Sequence, residues 1–127
     1  MNYIVIHPSS NVSLDKTILS QQGFKFIFNK DGSVFKFEEL DLDFPYTLDT
    51  LPGNSIHIIY DGNGKFDDRT YKQYDAMEIF IKYHILISPL VKIAGINQIE
   101  ENNKIGFSIS NWLKEIGINN KNIYDAL

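Results

Sequence analysis

The chain carries three histidines and no cysteine, so no thiolate can hold a metal and the imidazoles are the first residues to weigh. His7 closes the β-branched run "YIVIH", immediately before Pro8 and a series of small polar residues. An imidazole at such a strand end reads as a metal ligand or as a hydrogen-bonded strand-end residue. His57 lies within "SIHIIY", and His84 lies near the end of a long periodic segment. If His57 shares a sheet face with His7, an acidic residue could complete a metal site. Otherwise a histidine in an apolar strand reads as hydrogen-bonded core. His84 continues an apolar stripe and reads as packing, or as a cation for a helix C-terminus. Glu38, Glu39, Asp41 and Asp43 crowd together in "FEELDLDF". They suit a calcium site, a basic partner or a solvated acidic face. "DGNGKFDD" lacks the glycine and final glutamate of a calcium loop at the required spacing, and reads as a turn plus helix cap. Trp112 is a core residue or an interface anchor. No phosphate-cradling loop and no serine–histidine arrangement stands out.

These side chains need a scaffold, and the hydropathy pattern supplies one. Residues 3–7 form a short buried strand stopped by Pro8. "SLDKTILSQQG" predicts a short helix between Ser13 and Gly23. "FKFIFNKDGSVFKFEEL" is a β-hairpin, two alternating runs around Asn29-Lys30-Asp31-Gly32. Residues 41–53 hold two prolines and no period, and read as loop. "NSIHIIYDG" is a further strand. A helix is expected over roughly 69–86, capped by Asp67 or Asp68. Tyr74, Met77, Ile81 and His84 form its stripe, with Ala76, Phe80 and Tyr83 beside it, a wide arc suited to lying on a sheet. "LVKIAGI" is the last strand, 97–104 is polar loop, and "SISNWLKEIG" is a helix capped by Ser108 or Ser110 and stopped by Gly117. The order β-α-β-β-β-α-β-α predicts an α/β fold: one domain over 1–127, a mixed sheet with helices packed on it.

Composition narrows the function. A chain of 127 residues, 43% apolar, can bury a core. Its formal net charge is −4 and its basic residues do not cluster, so nucleic acid is not expected as a partner. No apolar run approaches membrane-spanning length, so no membrane partner is expected. No leader precedes the first strand, so synthesis and retention in the cytoplasm are expected unless another route carries the protein out.

Five fragments, in order over roughly 2–115, together resemble the zinc-dependent N-acetylmuramoyl-L-alanine amidases of the phage endolysin and peptidoglycan-recognition type. "IVIHPSSN" resembles the first strand, whose histidine binds zinc. "GFKFIFNKDGSVF" is similar to the G-Y-H-F-x-I-x-K-D-G hairpin. "GNSIHIIYDGN" is similar to the N-x-x-S-I-G-I strand, and "TYKQYDAMEIFI" to the T-x-x-Q-x-x-A-L helix. "IAGINQIEENNKIGFSISNWL" resembles the closing segment, from G-H-R-D through C/D-P-G to the last helix. The resemblance implies an amidase-like fold.

The departures from that pattern fall on the chemistry. The resemblance implies three zinc-ligand positions at His7, Ile96 and Lys104 (or a close neighbour of Lys104). The hairpin tyrosine, a transition-state stabiliser in the family, is Phe24, and the histidine beside it is Lys25. A further family histidine is missing between Phe44 and Gly53. Catalysis of this kind needs three protein ligands, an open fourth position and an oxyanion stabiliser. Isoleucine offers no lone pair and an ammonium repels a dication. The resemblance therefore implies a degenerate member: no catalytic residues, no bound zinc, and His7, Ile96, Lys104 and Phe24 as vestigial site positions. The expected role is a structural or protein-interaction module, as a homo-oligomer or with a protein partner, in the setting of a phage virion. The alternatives are a non-hydrolytic peptidoglycan-fragment binder and an active amidase with rearranged ligands. With zinc gone, Ile96 is expected to be buried against Phe24 and Phe107, closing the former cleft, with the Lys104 stem lying over it.

Overall fold

A computed structural model describes residues 2–11, 24–37, 55–100 and 102–124. Its strands are β1 (Tyr3–Pro8), β2 (Phe24–Phe28), β3 (Val34–Lys36), β4 (Ser55–Tyr60) and β5 (Lys92–Gly95). They form one sheet in the order β3-β2-β4-β1-β5. β2, β4, β1 and β5 run parallel, and β3 is antiparallel to β2, which gives the expected mixed sheet. The helices are α1 (Tyr71–Ile87) and α2 (Ile109–Glu115). The helix expected between Ser13 and Gly23, the acidic cluster at 38–43 and the loop over 41–53 lie outside the described residues.

The β2–β3 hairpin turns where the sequence places it. The Asn29 N–H donates to the Ser33 carbonyl and the Gly32 N–H to the Asn29 carbonyl. Gly32 takes φ +89°, a left-handed conformation that costs glycine little. α1 starts two residues later than expected, and its cap is neither Asp67 nor Asp68. Thr70 accepts the Gln73 N–H, and the Gln73 side chain accepts the Thr70 N–H, a reciprocal capping box. The two aspartates are committed elsewhere. Asp68 accepts the Asn63 N–H and pairs with Lys30 Nζ at 2.8 Å. Asp67 takes both Nε and Nη2 of Arg69, and hydrogen bonding from Arg69 holds its carboxyl below the usual range.

Strand alternation divides the core in two. On one face Ile4, Ile6, Phe28, Ile58, Tyr60 and Ile93 pack with Met77 and Ile81 of α1 and with Trp112 and Leu113 of α2. Trp112 is therefore core. Buried Gln73 ties α1 to the sheet, its amide donating to the carbonyls of Phe28 and Asp61 at the ends of β2 and β4. Ser108 caps α2, and Gly117 follows it at φ +85°. Tyr83, expected on the packed arc of α1, faces solvent instead. The opposite sheet face carries Val5, His7, Phe24, Ile27, His57 and Ile59, and this face holds the candidate site.

Candidate functional site

The parallel register of β1 and β4 sets Val5 beside His57 and His7 beside Ile59. His7 and His57 thus project from the same face of adjacent strands, and their rings meet: His7 Nε2 lies 2.8 Å from His57 Nδ1. One nitrogen of the pair donates and the other accepts. Both rings are buried, His7 to 2% exposure. Phe24 stands edge-on to His7, with ring centres 4.8 Å apart. Burial, with the neighbouring His57, lowers the His7 pKa to about 3, and burial lowers that of His57 to about 4. The pair is neutral at physiological pH. The register that makes this pair could not be read from either strand alone.

Ile96 opens the 3-10 turn that follows β5 and is 1% exposed. Its burial matches expectation, but its neighbours do not. It packs on Val5, fringed by Tyr3, Ile99, Ile105 and Tyr124. Phe24 belongs instead with Ile27, Phe37 and Ile59. Strand order explains the difference, because β1 and β4 separate β5 from β2. Phe107 lies on the helix side, against Tyr60 and Trp112. Lys104 is exposed rather than laid over a closed cleft. It lines an open cavity of about 230 Å³ with Ser10, Asn63, Gly64, Lys65 and Asn102, where the loops after β1, β4 and β5 converge.

Two contacts that sequence reasoning missed anchor the loop leading into α2. The guanidinium of Arg69, the chain's only arginine, lies 3.4 Å from the centre of the Phe107 ring, within reach of Tyr74 and Trp112. Gly106 sits so close to Phe66 that a Cβ there would lie 2.1 Å from the Phe66 carbonyl oxygen. The aromatic spacing around Arg69 is non-local, so only the bare presence of a lone arginine beside "FDD" hinted at it. His84, half-buried in the last turn of α1, engages the Phe80 carbonyl through Nδ1, a packing role rather than a part of this site.

Among the described residues the donor set does not fit a hydrolytic zinc. The imidazole nitrogens that face each other are bonded to each other. The position after β5 is an aliphatic side chain in an apolar cluster, and the loop position is an ammonium. Among the described residues no three histidine or acidic side chains converge.

This fold is shared with solved structures of N-acetylmuramoyl-L-alanine amidases and of peptidoglycan recognition proteins. The amidase LysC from Clostridium intestinale URNW superposes with a TM-score of 0.70 at 14% identity, covering 93% of this chain and 86% of that one. The Ph2119 endolysin of a Thermus scotoductus MAT2119 bacteriophage gives 0.66 at 15% identity, covering 93% and 85%. The ectodomain complex of the recognition proteins PGRP-LCa and PGRP-LCx, solved with tracheal cytotoxin bound, gives 0.60 at 18% identity, covering 98% and 84%. No protein-family model and no curated protein sequence matches the chain.

Proposed function

We propose that this protein is a catalytically inactive amidase-fold domain, kept as a structural or protein-interaction module and without catalytic zinc. The observation that carries the reading is Ile96, buried in an apolar cluster at the position where the resemblance places a zinc ligand. Such a side chain contributes roughly 1.5–3 kcal/mol to folding by its burial, so the site works as core. Lys104 at the loop position and Phe24 at the tyrosine position add to the reading. The phage origin of one similar structure supports a virion component as the setting. The test is elemental analysis of protein purified without chelator, with a muramyl-L-alanine amide hydrolysis assay in added zinc. Well under one equivalent of metal and no turnover are expected. One tightly held zinc per chain, or turnover, would overturn the reading.

A second reading, a non-hydrolytic peptidoglycan-fragment binder, is favoured by the cavity beside Lys104. It brings two lysines and two asparagines together in a chain of net charge −4, and stem peptides carry carboxylates. Titration with a muramyl peptide, followed by amide shifts at Ser10, Gly64 and Asn102, separates the two readings.

A further inference from the structure

The second half of α1 is apolar on both sides. Its inner side buries Met77 and Ile81 against the sheet. Its outer side exposes Ile79 (69%), Tyr83 (57%), Leu86 (79%) and Ile87 (57%), and the turn after it exposes Leu90 (82%). Single exposed apolar residues need no explanation, but a contiguous row along one helix face does. Residues 79, 83 and 86 follow the helical repeat and lie in line, and Leu90 stands in the turn just past the Ser88 cap.

We propose that this row pairs with the same row of a second copy of the chain, in an antiparallel two-fold dimer. Three observations choose a second copy as the occupant. Reversing the row about the midpoint of residues 84 and 85 sets Tyr83 against Leu86, lays Ile87 on the aliphatic stem of Lys82, and brings the turn that carries Leu90 to the end that carries Ile79. A two-fold interface requires this self-complementarity. The area also suffices. Five side chains this exposed present roughly 600 Å² per copy, or about 1,200 Å² in the pair, at the lower bound of stable specific interfaces. Charge then sets the direction. Glu78 and Lys82 flank the row and neutralise each other at 3.0 Å. In a parallel pair they would face their own images, Glu78 on Glu78 and Lys82 on Lys82. In the antiparallel pair neither meets its own image: Lys82 comes against Ile87 of the other copy, and Glu78 falls level with the uncharged segment just past Leu90. A membrane surface is a poorer occupant, since Lys82 beside the row is already paired and the chain is acidic.

Sedimentation equilibrium of the full chain from 5 to 200 µM tests the proposal. A dimer with a midpoint inside that range is expected. Leu86→Glu and Ile79→Glu should each shift it at least tenfold toward monomer with an unchanged far-UV spectrum, since both side chains stand in solvent. Phe66→Glu, at an exposed apolar residue off the row, should leave it unchanged. Because the chain has no cysteine, a mixture of Tyr83→Cys and Leu86→Cys chains should cross-link faster than either alone. A monomer at 200 µM would overturn the proposal and leave the row to a different protein. A dimer insensitive to Leu86→Glu would overturn it in favour of another face. Neither result bears on the zinc measurement, so this inference and the inactive-amidase reading fail separately.

Discussion

At the scale of the residue, the site turns on two imidazoles bonded to each other. Both are held neutral in the fold, with pKa values lowered to about 3 and about 4, whereas in the unfolded chain each would titrate near 6.5. Below pH 6.5 the unfolded chain therefore binds protons that the folded chain refuses. Stability is complete above about 6.5 and falls as the pH drops toward 4, by up to about 1.4 kcal/mol per pH unit for each histidine. Few carboxylates contribute between pH 6.5 and 5, so the window isolates the pair. Between pH 7 and 5 the melting temperature of the wild type should fall by several degrees, and that of His7→Leu/His57→Leu should fall much less. Equal losses in both would show that the pair does not set the acid limit. Ile96→His makes a complementary test. It places an imidazole among Val5, Tyr3 and Ile105 and should destabilise by about 2–4 kcal/mol, with no recovery on adding zinc. Strong stabilisation by zinc would mean that a ligand site survives there.

At the scale of the element, local signals were legible wherever a short motif determines a short structure. Asn29-Lys30-Asp31-Gly32 gave the hairpin, the β-branched runs gave β1 and β4, and Ser108 and Gly117 bounded α2. The start of α1 was legible as well, in Thr70-Tyr71-Lys72-Gln73, but the adjacent Asp67 and Asp68 competed for the same assignment. Only their ties to Arg69, Lys30 and Asn63 remove them. The outer row of α1 was hidden for a different reason. The stripe of Tyr74, Met77 and Ile81 marked the face that the sheet covers, but no local pattern says whether Ile79 and Leu86 behind it meet solvent or a further element. The His7–His57 contact and the neighbours of Ile96 depend on strand order, which no local pattern contains. Two glycines test how these elements are joined. Gly117→Ala meets no atom within 4 Å and bears only the left-handed backbone, a cost of about 1 kcal/mol. Gly106→Ala must displace the Phe66 backbone and should cost about 2–4 kcal/mol. Chemical denaturation that ranks the two equally would show that the loop before α2 is not held by this approach.

At the scale of the whole molecule, the sheet's buried faces and the outer row of α1 make competing demands on one short chain. A helix that spends apolar side chains on solvent gains nothing for the monomer, and it raises the risk of nonspecific association. The row becomes stabilising only when a second copy covers it. Unfolding then also dissociates the dimer, so stability depends on protein concentration. For a saturated dimer that unfolds to two separate chains, a hundredfold rise in concentration adds about 1.4 kcal/mol per chain. With an unfolding entropy of about 2.1 cal/mol/K per residue, this corresponds to roughly 5 °C in melting temperature for a chain of this length. The wild type should show that rise in scanning calorimetry well above the dimer midpoint. Leu86→Glu should melt at one temperature throughout, at or slightly below the dilute wild-type value, because its monomer core of Met77, Ile81 and Trp112 is untouched. A wild-type melting temperature that stays flat while sedimentation reports a dimer would mean that the dimer separates before its subunits unfold, and that the row adds nothing to the stability of the fold.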